Sequence, residues 1–341
     1  MKIYKKDKIN LEREIDIMNY LVTGCAGFIG YHVVESILKN NKNSNVIGLD
    51  NINDYYSIKL KKERIKKLKI NKKFKFYQID LIEKIKIEQI YKKFKIHTVI
   101  HLAAQAGVRY SVINPSSYYE SNILGFTNII DLSKKYNVKK FIFASSSSVY
   151  GDKKKYPLNE KEKIYPKNIY SASKKLNEDM ARDISNISKM KIIGLRFFTI
   201  YGKWGRPDMF IFSFLNAVKK QKIYYLNNYG NHIRDFTHID DVLLIINKLI
   251  IKRIIKNFQI FNICSNKPIR MNVLISEMQK YIKRKVIVKK ISHNKVEVFK
   301  THGDNSKIKK YLKIKKFKNI THELKKIIDW YEKEKIWRIT N

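Results

Sequence analysis

The stretch LVTGCAGFIG (21–30) carries the clearest structural signal in this sequence of 341 residues. Its first residues are apolar, glycines follow at Gly24, Gly27 and Gly30, and the segment 28–41 has helical apolar spacing. Glycines between a strand and a helix let the turn close and let a pyrophosphate approach the backbone amides at the helix N-terminus. The spacing GxxGxxG is one residue wider than GxGxxG. The stretch therefore predicts a dinucleotide-binding turn, with a purely structural turn as the alternative.

Asp50 strengthens the dinucleotide interpretation. It ends the next apolar run, NVIGLD (45–50), about 20 residues after Gly30, where a carboxylate accepts hydrogen bonds from an adenosine ribose. A 2′-phosphate at that place would be repelled, so the sequence favours NAD over NADP. Asp80 and Leu81 close a third run, and we expect them to flank the adenine.

Apolar runs alternate with helical patterns over the first 200 residues. We predict strands at 19–24, 45–50, 75–80, 98–104 and 191–198, a further strand ending in serines, and helices at 28–41, 57–69, about 84–94, 116–136 and 170–186. This alternation predicts an α/β fold with a Rossmann-type doubly wound parallel sheet. After residue 200 the alternation of strand and helix patterns becomes less regular, and we expect a smaller α/β C-terminal domain.

Composition argues against several classes of protein. The two cysteines, Cys25 and Cys264, are far apart, which argues against a disulfide framework or metal site and for a reducing compartment. The net charge of +41 is spread along the chain, and no nucleic-acid-binding motif accompanies it, so we expect no specific nucleic-acid partner. The longest apolar stretch (242–251) is too short to span a bilayer, and the N-terminus lacks the apolar core of a signal peptide. We expect a cytoplasmic protein without membrane insertion.

Two further stretches, FIFASSSSVYG (141–151) and YSASK (170–174), carry chemistry. The first ends a predicted strand in four serines, and the second places Tyr170 and Lys174 side by side on a helix. Free tyrosine has a pKa of about 10, so it acts as a base near neutral pH only if a lysine ammonium and a positive nicotinamide ring favour the phenolate. Alone, such a pair is ordinary on a helix surface, and the serines could merely cap a strand. Together with the glycine turn and Asp50, they predict a catalytic site.

Seven segments identify the family that the chain resembles: LVTGCAGFIG, LDNINDYY, VIHLAAQAGVRYS, SSSSVYG, YSASK, LRFFTIYGKWGRPDM and RDFTHIDD. From about Met18 to the C-terminus, the chain resembles the extended short-chain dehydrogenase/reductase family of nucleotide-sugar enzymes. Within that family it looks most like the UDP-glucuronate 4-epimerases of bacterial capsule synthesis.

The resemblance implies a set of site residues. The NAD site would be lined by Gly24, Gly27, Phe28, Ile29, Gly30, Asp50, Asn51, Asp80, Leu81, Leu102, Ala103, Ala104 and Asn122. Ser146, Tyr170 and Lys174 would be catalytic, and Lys174 would also hold the nicotinamide ribose. Arg109, Thr199, Arg206 and Arg234 would face the nucleotide sugar, and Ser147 and Ser148 would reach its C5 substituent.

The serines also bear on the type of reaction. Related dehydratases and decarboxylases carry an acidic residue where Ser146, Ser147 and Ser148 stand here. Because hydroxyls are poor proton donors, we predict oxidation and reduction at C4 without elimination, hence a 4-epimerase whose preferred substrate is UDP-glucuronate. An epimerase for UDP-glucose or a UDP-N-acetylhexosamine stays open, as does, more remotely, a non-catalytic NAD-binding basic protein. The chain departs from the family pattern at Lys203 and at Val296-Glu297, and the second departure puts the nucleotide loop near Asn294 in doubt.

The resemblance also implies domains and assembly. We predict a dispensable charged extension (1–17), an NAD-binding domain (18–200 and 235–265) and a nucleotide-sugar-binding domain (201–234 and 266–341). We expect a homodimer in which the helices predicted at 116–136 and 170–186 pair across a two-fold axis as a four-helix bundle.

Overall fold

The computed structural model describes residues 17–41, 43–282, 284, 286–292 and 297–340. Two predictions fall outside these residues: nearly all of the N-terminal extension, and the nucleotide loop at Asn294.

A parallel sheet of seven strands forms the centre of the molecule. The strands in the described residues are β1 (Met18–Thr23), β2 (Ser44–Asp50), β3 (Phe74–Gln78), β4 (Thr98–His101), β5 (Lys140–Ser146), β6 (Lys191–Phe197), β7 (Thr199–Tyr201), β8 (Tyr224–Leu226), β9 (Ile233–His238), β10 (Phe258–Ile263), β11 (Pro268–Arg270) and β12 (Val288–Lys290). The seven-stranded sheet has the order β10-β6-β5-β4-β1-β2-β3, with parallel pairing throughout. The predicted Rossmann-type sheet is therefore confirmed.

Helices cover both faces of this sheet. They are α1 (Phe28–Asn40), α2 (Ile58–Leu68), α3 (Lys84–Lys93), α4 (Tyr110–Ile113), α5 (Ser116–Tyr118), α6 (Gly125–Lys135), α7 (Ile169–Asn186), α8 (Phe210–Lys219), α9 (Ile239–Ile251), α10 (Met271–Gln279), α11 (Ser306–Leu312) and α12 (Ile320–Lys333). Short 3₁₀ turns lie at Ser147–Tyr150, Asn227–Gly230 and Ile336–Arg338. Within the part of the chain that the structure describes, no helix has the length and apolar character needed to span a bilayer.

Successive strand residues enter two different cores. Val22 and Ile142 pack with α1 and α9 on one face, whereas Leu21 and Phe141 pack with α3 and α6 on the other. Neighbouring residues of a strand point to opposite faces, so strands buried on both faces consist of continuous apolar runs. That is why the runs in the sequence marked the strands to within a few residues.

The predicted long helix at 116–136 contains a change in helix type. Helices α5 and α6 are joined through a π-helical turn, Tyr119–Leu124, rather than forming one uniform α-helix. Within this turn, Asn122 Oδ1 accepts a hydrogen bond from the Gln105 backbone N at 2.8 Å, and Asn122 Nδ2 donates to the Gln105 carbonyl at 3.1 Å. The side chain of Asn122 is therefore committed to holding the loop after β4.

Two smaller sheets lie beyond the carboxyl ends of the central strands. One has the order β11-β9-β7, and the other pairs β12 with β8. Since parallel strands end at one common edge, the turns after β1, β2, β4 and β5 gather there opposite these smaller sheets.

Candidate active site

A cavity of about 930 Å³ lies between the carboxyl edge of the central sheet and the segments that carry the smaller sheets. This is near the upper end of the range for ligand pockets, about 300–1,000 Å³. All but one of the residues predicted for the site line this cavity. The exception is Asn122, which is 1% exposed and lies behind the wall, where it binds the Gln105 backbone. We therefore correct its predicted place in the lining.

The glycine turn after β1 is closed by contacts that exclude side chains. Gly24 has a φ of +71°, and a Cβ there would lie 2.7 Å from the Ala103 backbone N. A Cβ on Gly30 would lie 2.0 Å from the Gly24 carbonyl oxygen, so the first turn of α1 packs directly on the loop. Gly27 caps α1 and borders the cavity. This cradle fits a pyrophosphate at a helix N-terminus.

Asp50 fastens the glycine turn to the end of β2. Its Oδ2 accepts a hydrogen bond from Ala26 N at 3.0 Å, and its Oδ1 accepts from Ile52 N at 2.8 Å. Burial raises the pKa of Asp50, while these backbone bonds and the nearby Lys61 act in the opposite direction. A carboxylate oxygen has a second lone pair, so each remains able to accept from a ribose hydroxyl.

Lys174 and the end of β5 meet beneath the cavity. Lys174 is 3% exposed, its Nζ donates to the Ala144 carbonyl at 2.8 Å, and burial lowers its pKa to about 8. Burial raises the pKa of Tyr170, opposed by a hydrogen bond with Ser146 and by the charge of Arg206. The Tyr118 ring lies edge-on to the Tyr170 ring at 6.1 Å. The structure thus brings Ser146, Tyr170 and Lys174 together at one wall.

The serines after β5 contact one another as well as the cavity. Ser146 Oγ accepts hydrogen bonds from Ser148 N at 3.2 Å and from Ser148 Oγ at 2.9 Å. With its lone pairs engaged in this way, Ser146 can direct its own hydroxyl hydrogen toward an acceptor in the cavity. Ser147 and Thr199 also line the cavity.

Arg206 forms an ion pair with Asp208, a residue that the sequence analysis did not single out. Arg206 Nε donates to Asp208 Oδ1 at 3.0 Å, and its Nη2 donates to Asp208 Oδ2 at 2.5 Å and to Tyr55 Oη at 3.3 Å. Although burial favours the neutral carboxyl, Arg206 holds the pKa of Asp208 below its usual value. The pair therefore brings little net charge to this wall.

Glu297 joins two of the predicted substrate arginines. Arg109 Nε donates to Glu297 Oε1 at 2.5 Å, and Arg234 Nη2 lies 3.7 Å from Glu297 Oε2. All three side chains line the cavity. A diphosphate that binds these guanidinium groups must therefore compete with the Glu297 carboxylate, which stands at one of the positions where the sequence departs from the family pattern.

Arg64 and Lys61 are buried cations that the sequence analysis missed. Arg64 Nη1 donates to the Ala26 carbonyl at 2.8 Å, and its Nη2 donates to the Trp204 carbonyl at 2.5 Å, so it links the glycine turn to the segment preceding Arg206. Lys61 Nζ donates to Asn53 Oδ1 at 2.5 Å, and burial lowers the pKa of Lys61 to about 8. Lys61 and Arg64 share the helical spacing of the buried leucines of α2, and this spacing could have marked them as buried. The many exposed lysines of the same helix obscured the pattern.

Comparisons with known proteins agree with this geometry. Residues 20–264 match the NAD dependent epimerase/dehydratase family. A UDP-glucuronate 4-epimerase from Thermodesulfobacterium geofontis is 39% identical over 313 residues, covering 91% of this chain and 95% of that protein. A UDP-glucuronic acid 4-epimerase from Bacillus cereus, solved with UDP-glucuronic acid and NAD, has a TM-score of 0.87 at 28% identity, covering 93% of this chain and all of that one (100%). A UDP-glucose 4-epimerase from Thermotoga maritima, solved with UDP-glucose, has a TM-score of 0.83 at 28% identity, covering 93% and 99%.

The chain belongs to the NAD dependent epimerase/dehydratase family. The predictions of this family, of an NAD-dependent epimerase and of NAD as cofactor are confirmed. The residues present fit the cofactor, because the closed glycine turn, the N-terminus of α1 and Asp50 line one continuous wall of the cavity.

Proposed function

We propose that the protein interconverts UDP-glucuronate and UDP-galacturonate by epimerisation at C4. The observation that carries the proposal is that Ser146, Tyr170 and Lys174 line the same cavity as the glycine turn. At the end of β5 this cavity is lined by hydroxyls and by no carboxylate. Resemblance to capsule-synthesis enzymes supports a cytoplasmic role in supplying surface polysaccharide synthesis.

In the proposed mechanism, Ser146, Tyr170 and Lys174 act in both directions of the epimerisation. Tyr170, as phenolate, takes the proton of the C4 hydroxyl, and Ser146 donates a hydrogen bond to O4. Bound NAD supplies a reversible hydride acceptor for C4. After the 4-keto sugar turns over in the cavity, Tyr170 returns the proton to the product of opposite C4 configuration. Lys174 supplies positive charge from one helical turn away.

The C6 carboxylate of the sugar needs hydrogen-bond donors, and at the end of β5 the cavity supplies hydroxyl groups. Arg206 is already bound by Asp208, and Ser148 Oγ donates to Ser146 in the absence of substrate. Ser147 and Thr199 are therefore the primary hydroxyl donors, and Ser148 joins them by rotation about one bond. Several donors can hold the carboxylate near the plane of the C4 ketone, which disfavours loss of CO₂ from the β-keto acid.

The substrate prediction is tested by incubating the purified protein with a panel of UDP-sugars and reading C4 configuration by NMR. We expect UDP-glucuronate to be turned over at least about tenfold faster than UDP-glucose, with little UDP-pentose. Thr199→Ala should lower this ratio, because it removes a carboxylate donor. Thr127→Ala, which removes a hydroxyl bonded within the helix at Ile123, is the matched control and should leave the ratio unchanged. Equal rates on UDP-glucuronate and UDP-glucose would contradict the substrate assignment but leave the Ser-Tyr-Lys chemistry intact.

The second candidate is a 4-epimerase for UDP-glucose or a UDP-N-acetylhexosamine. The likeness to the Thermotoga maritima UDP-glucose 4-epimerase favours it. It uses the same catalytic residues and differs only in what surrounds the C5 or C2 substituent, so the same panel of sugars discriminates the two.

We also propose the two-domain division predicted from the sequence. Its support is that β10, which lies in the second NAD-domain segment (235–265), pairs with β6 at the edge of the central sheet, while β8, β11 and β12 join only the smaller sheets.

We propose a homodimer through the segment from α5 to α6 and through α7. Tyr119, Leu124 and Leu176 on these adjoining helices are 52%, 48% and 40% exposed, an apolar surface that a partner copy would cover. Light scattering at micromolar concentration should give the mass of a dimer, and Leu124→Glu should lower it to that of a monomer. Ile70→Glu, at a position 82% exposed outside these helices, is the control. A monomeric wild-type protein would refute the assembly.

A further inference from the structure

A buried ion pair lies directly behind the predicted catalytic groups. Arg196 Nε donates to Glu178 Oε1 at 2.8 Å, and Arg196 Nη2 donates to Glu178 Oε2 at 2.7 Å. The side chains are 4% and 1% exposed. A buried pair of this kind is weak evidence for stability, since desolvation offsets much of the attraction between the charges. Its place in the fold points to a different role.

The pair has a third partner in Ser145, the one serine of the four for which the proposed mechanism has no use. Ser145 Oγ donates to Glu178 Oε1 at 2.5 Å, and Ser145 is 2% exposed. In the sheet, Ser145 is the register partner of Arg196 on β6. Strands β5 and β6 and helix α7 are thereby joined at a single carboxylate.

Three consecutive residues of β5 contact α7 at successive turns of the helix. The Ala144 carbonyl accepts from Lys174, Ser145 donates to Glu178, and Ser146 lies beside Tyr170 and acts to lower the pKa of its phenol. Tyr170, Lys174 and Glu178 have i, i+4 and i+8 spacing, so they share one face of the helix. A shift of α7 along β5 would change all three contacts together.

The network continues away from the cavity. Arg196 Nη1 donates to Tyr150 Oη at 2.9 Å, and Tyr150 Oη donates to Asn262 Oδ1 at 2.7 Å. The 3₁₀ turn carrying Ser147 and Ser148 and the strand β10 are therefore held by the same pair. Because the guanidinium and carboxylate are both planar and bidentate, they fix orientation as well as distance.

We infer that Ser145, Glu178 and Arg196 are positioning residues that set the separation between Ser146 and the Tyr170–Lys174 pair. The inference rests on the proposed Ser-Tyr-Lys chemistry but not on which UDP-sugar is used. A displacement of about 1 Å at a reacting group is enough to reduce turnover about 10²-fold. The loss of one hydrogen bond of this network should therefore appear mainly in kcat and less in substrate affinity, because the predicted substrate arginines Arg109 and Arg234 lie on segments outside the network.

The test compares Ser145→Ala with Ser133→Ala in the NAD-loaded enzyme. Ser133 is also buried, is hydrogen-bonded to Tyr91 Oη at 2.9 Å and to the Ile129 carbonyl at 2.7 Å, and does not line the cavity, so its variant loses buried hydrogen bonds away from the site. On the UDP-sugar that the wild type epimerises fastest, Ser145→Ala should lower kcat about tenfold with KM changed less than about twofold. Both variants should lower the melting temperature, but Ser133→Ala should leave kcat unchanged.

A second readout needs no substrate. The titration of Tyr170, taken as the difference in phenolate absorbance from the matching Tyr170→Phe protein, should shift in Ser145→Ala and stay unchanged in Ser133→Ala. Unchanged kcat and unchanged titration in Ser145→Ala would overturn the inference. If the wild type turned over none of the UDP-sugars, the proposed function would fail, and the titration alone would decide the positioning role.

Discussion

Tyr170→Phe is expected to lower turnover by about 10²-fold or more while the folded enzyme retains NAD and substrate binding. The substitution removes one oxygen, and that oxygen is the proposed acceptor of the C4 hydroxyl proton. The Tyr118 ring packs edge-on against this ring, so phenylalanine keeps the packing and only the proton transfer is lost. The measurement is kcat with UDP-glucuronate, together with the NAD content of the purified protein.

The pH dependence of kcat sharpens this test. In the structure, burial raises the pKa of Tyr170, so the phenol needs positive charge in the complete site before it can act as a base near neutral pH. Below its pKa, Tyr170 is protonated and cannot accept the proton, so kcat of the wild type should rise with pH until Tyr170 is ionised. This rise should be absent in Tyr170→Phe.

A matched control is available at Tyr91, which is also buried and hydrogen-bonded through its hydroxyl. Tyr91→Phe should leave kcat unchanged, because Tyr91 does not line the cavity. If Tyr170→Phe kept more than about a tenth of the wild-type kcat, Tyr170 would not be the base.

Asp50→Asn should weaken NAD binding about 10²-fold, because charge-assisted hydrogen bonds contribute about 1.5–3 kcal/mol each. Asp50 accepts from Ala26 N and Ile52 N, and an amide supplies only one acceptor oxygen in place of two. The variant should therefore lose a backbone bond of the glycine turn as well as the charge that faces the ribose. Wild-type protein denatured after purification should release NAD(H), and the variant should release far less.

The same variant tests the choice between NAD and NADP. Removing the carboxylate removes the repulsion of a 2′-phosphate and leaves the cationic Lys61 nearby, so discrimination against NADP should relax. Asp54→Asn, at an exposed carboxylate on the same loop, should change neither cofactor content nor preference. Release of NADP(H) by the wild type would show that our interpretation of Asp50 is wrong.

Much of the fold could be predicted from the sequence because its signals are local. Apolar runs marked strands buried on both faces, and glycines at 24, 27 and 30 marked a turn that admits no side chains. Tyr170 and Lys174 are one helical turn apart in any helix, so their proximity needed no tertiary information. The site residues named from the family resemblance all line the cavity apart from Asn122, whereas Lys61 and Asp208, which also line it, were not foreseen.

The interactions that could not be predicted join residues far apart in the chain. Glu297 reaches Arg109 across 188 positions, and Arg64 reaches Trp204 across 140. Glu178 meets Arg196 only because β6 lies next to β5 beneath α7. Helical and strand periodicities specify which face of an element is buried. The order of the strands and the packing of the helices decide which side chains of other elements contact that face. For this reason the sequence pointed to the reacting groups, whereas the contacts that hold them in place became visible only in the folded chain.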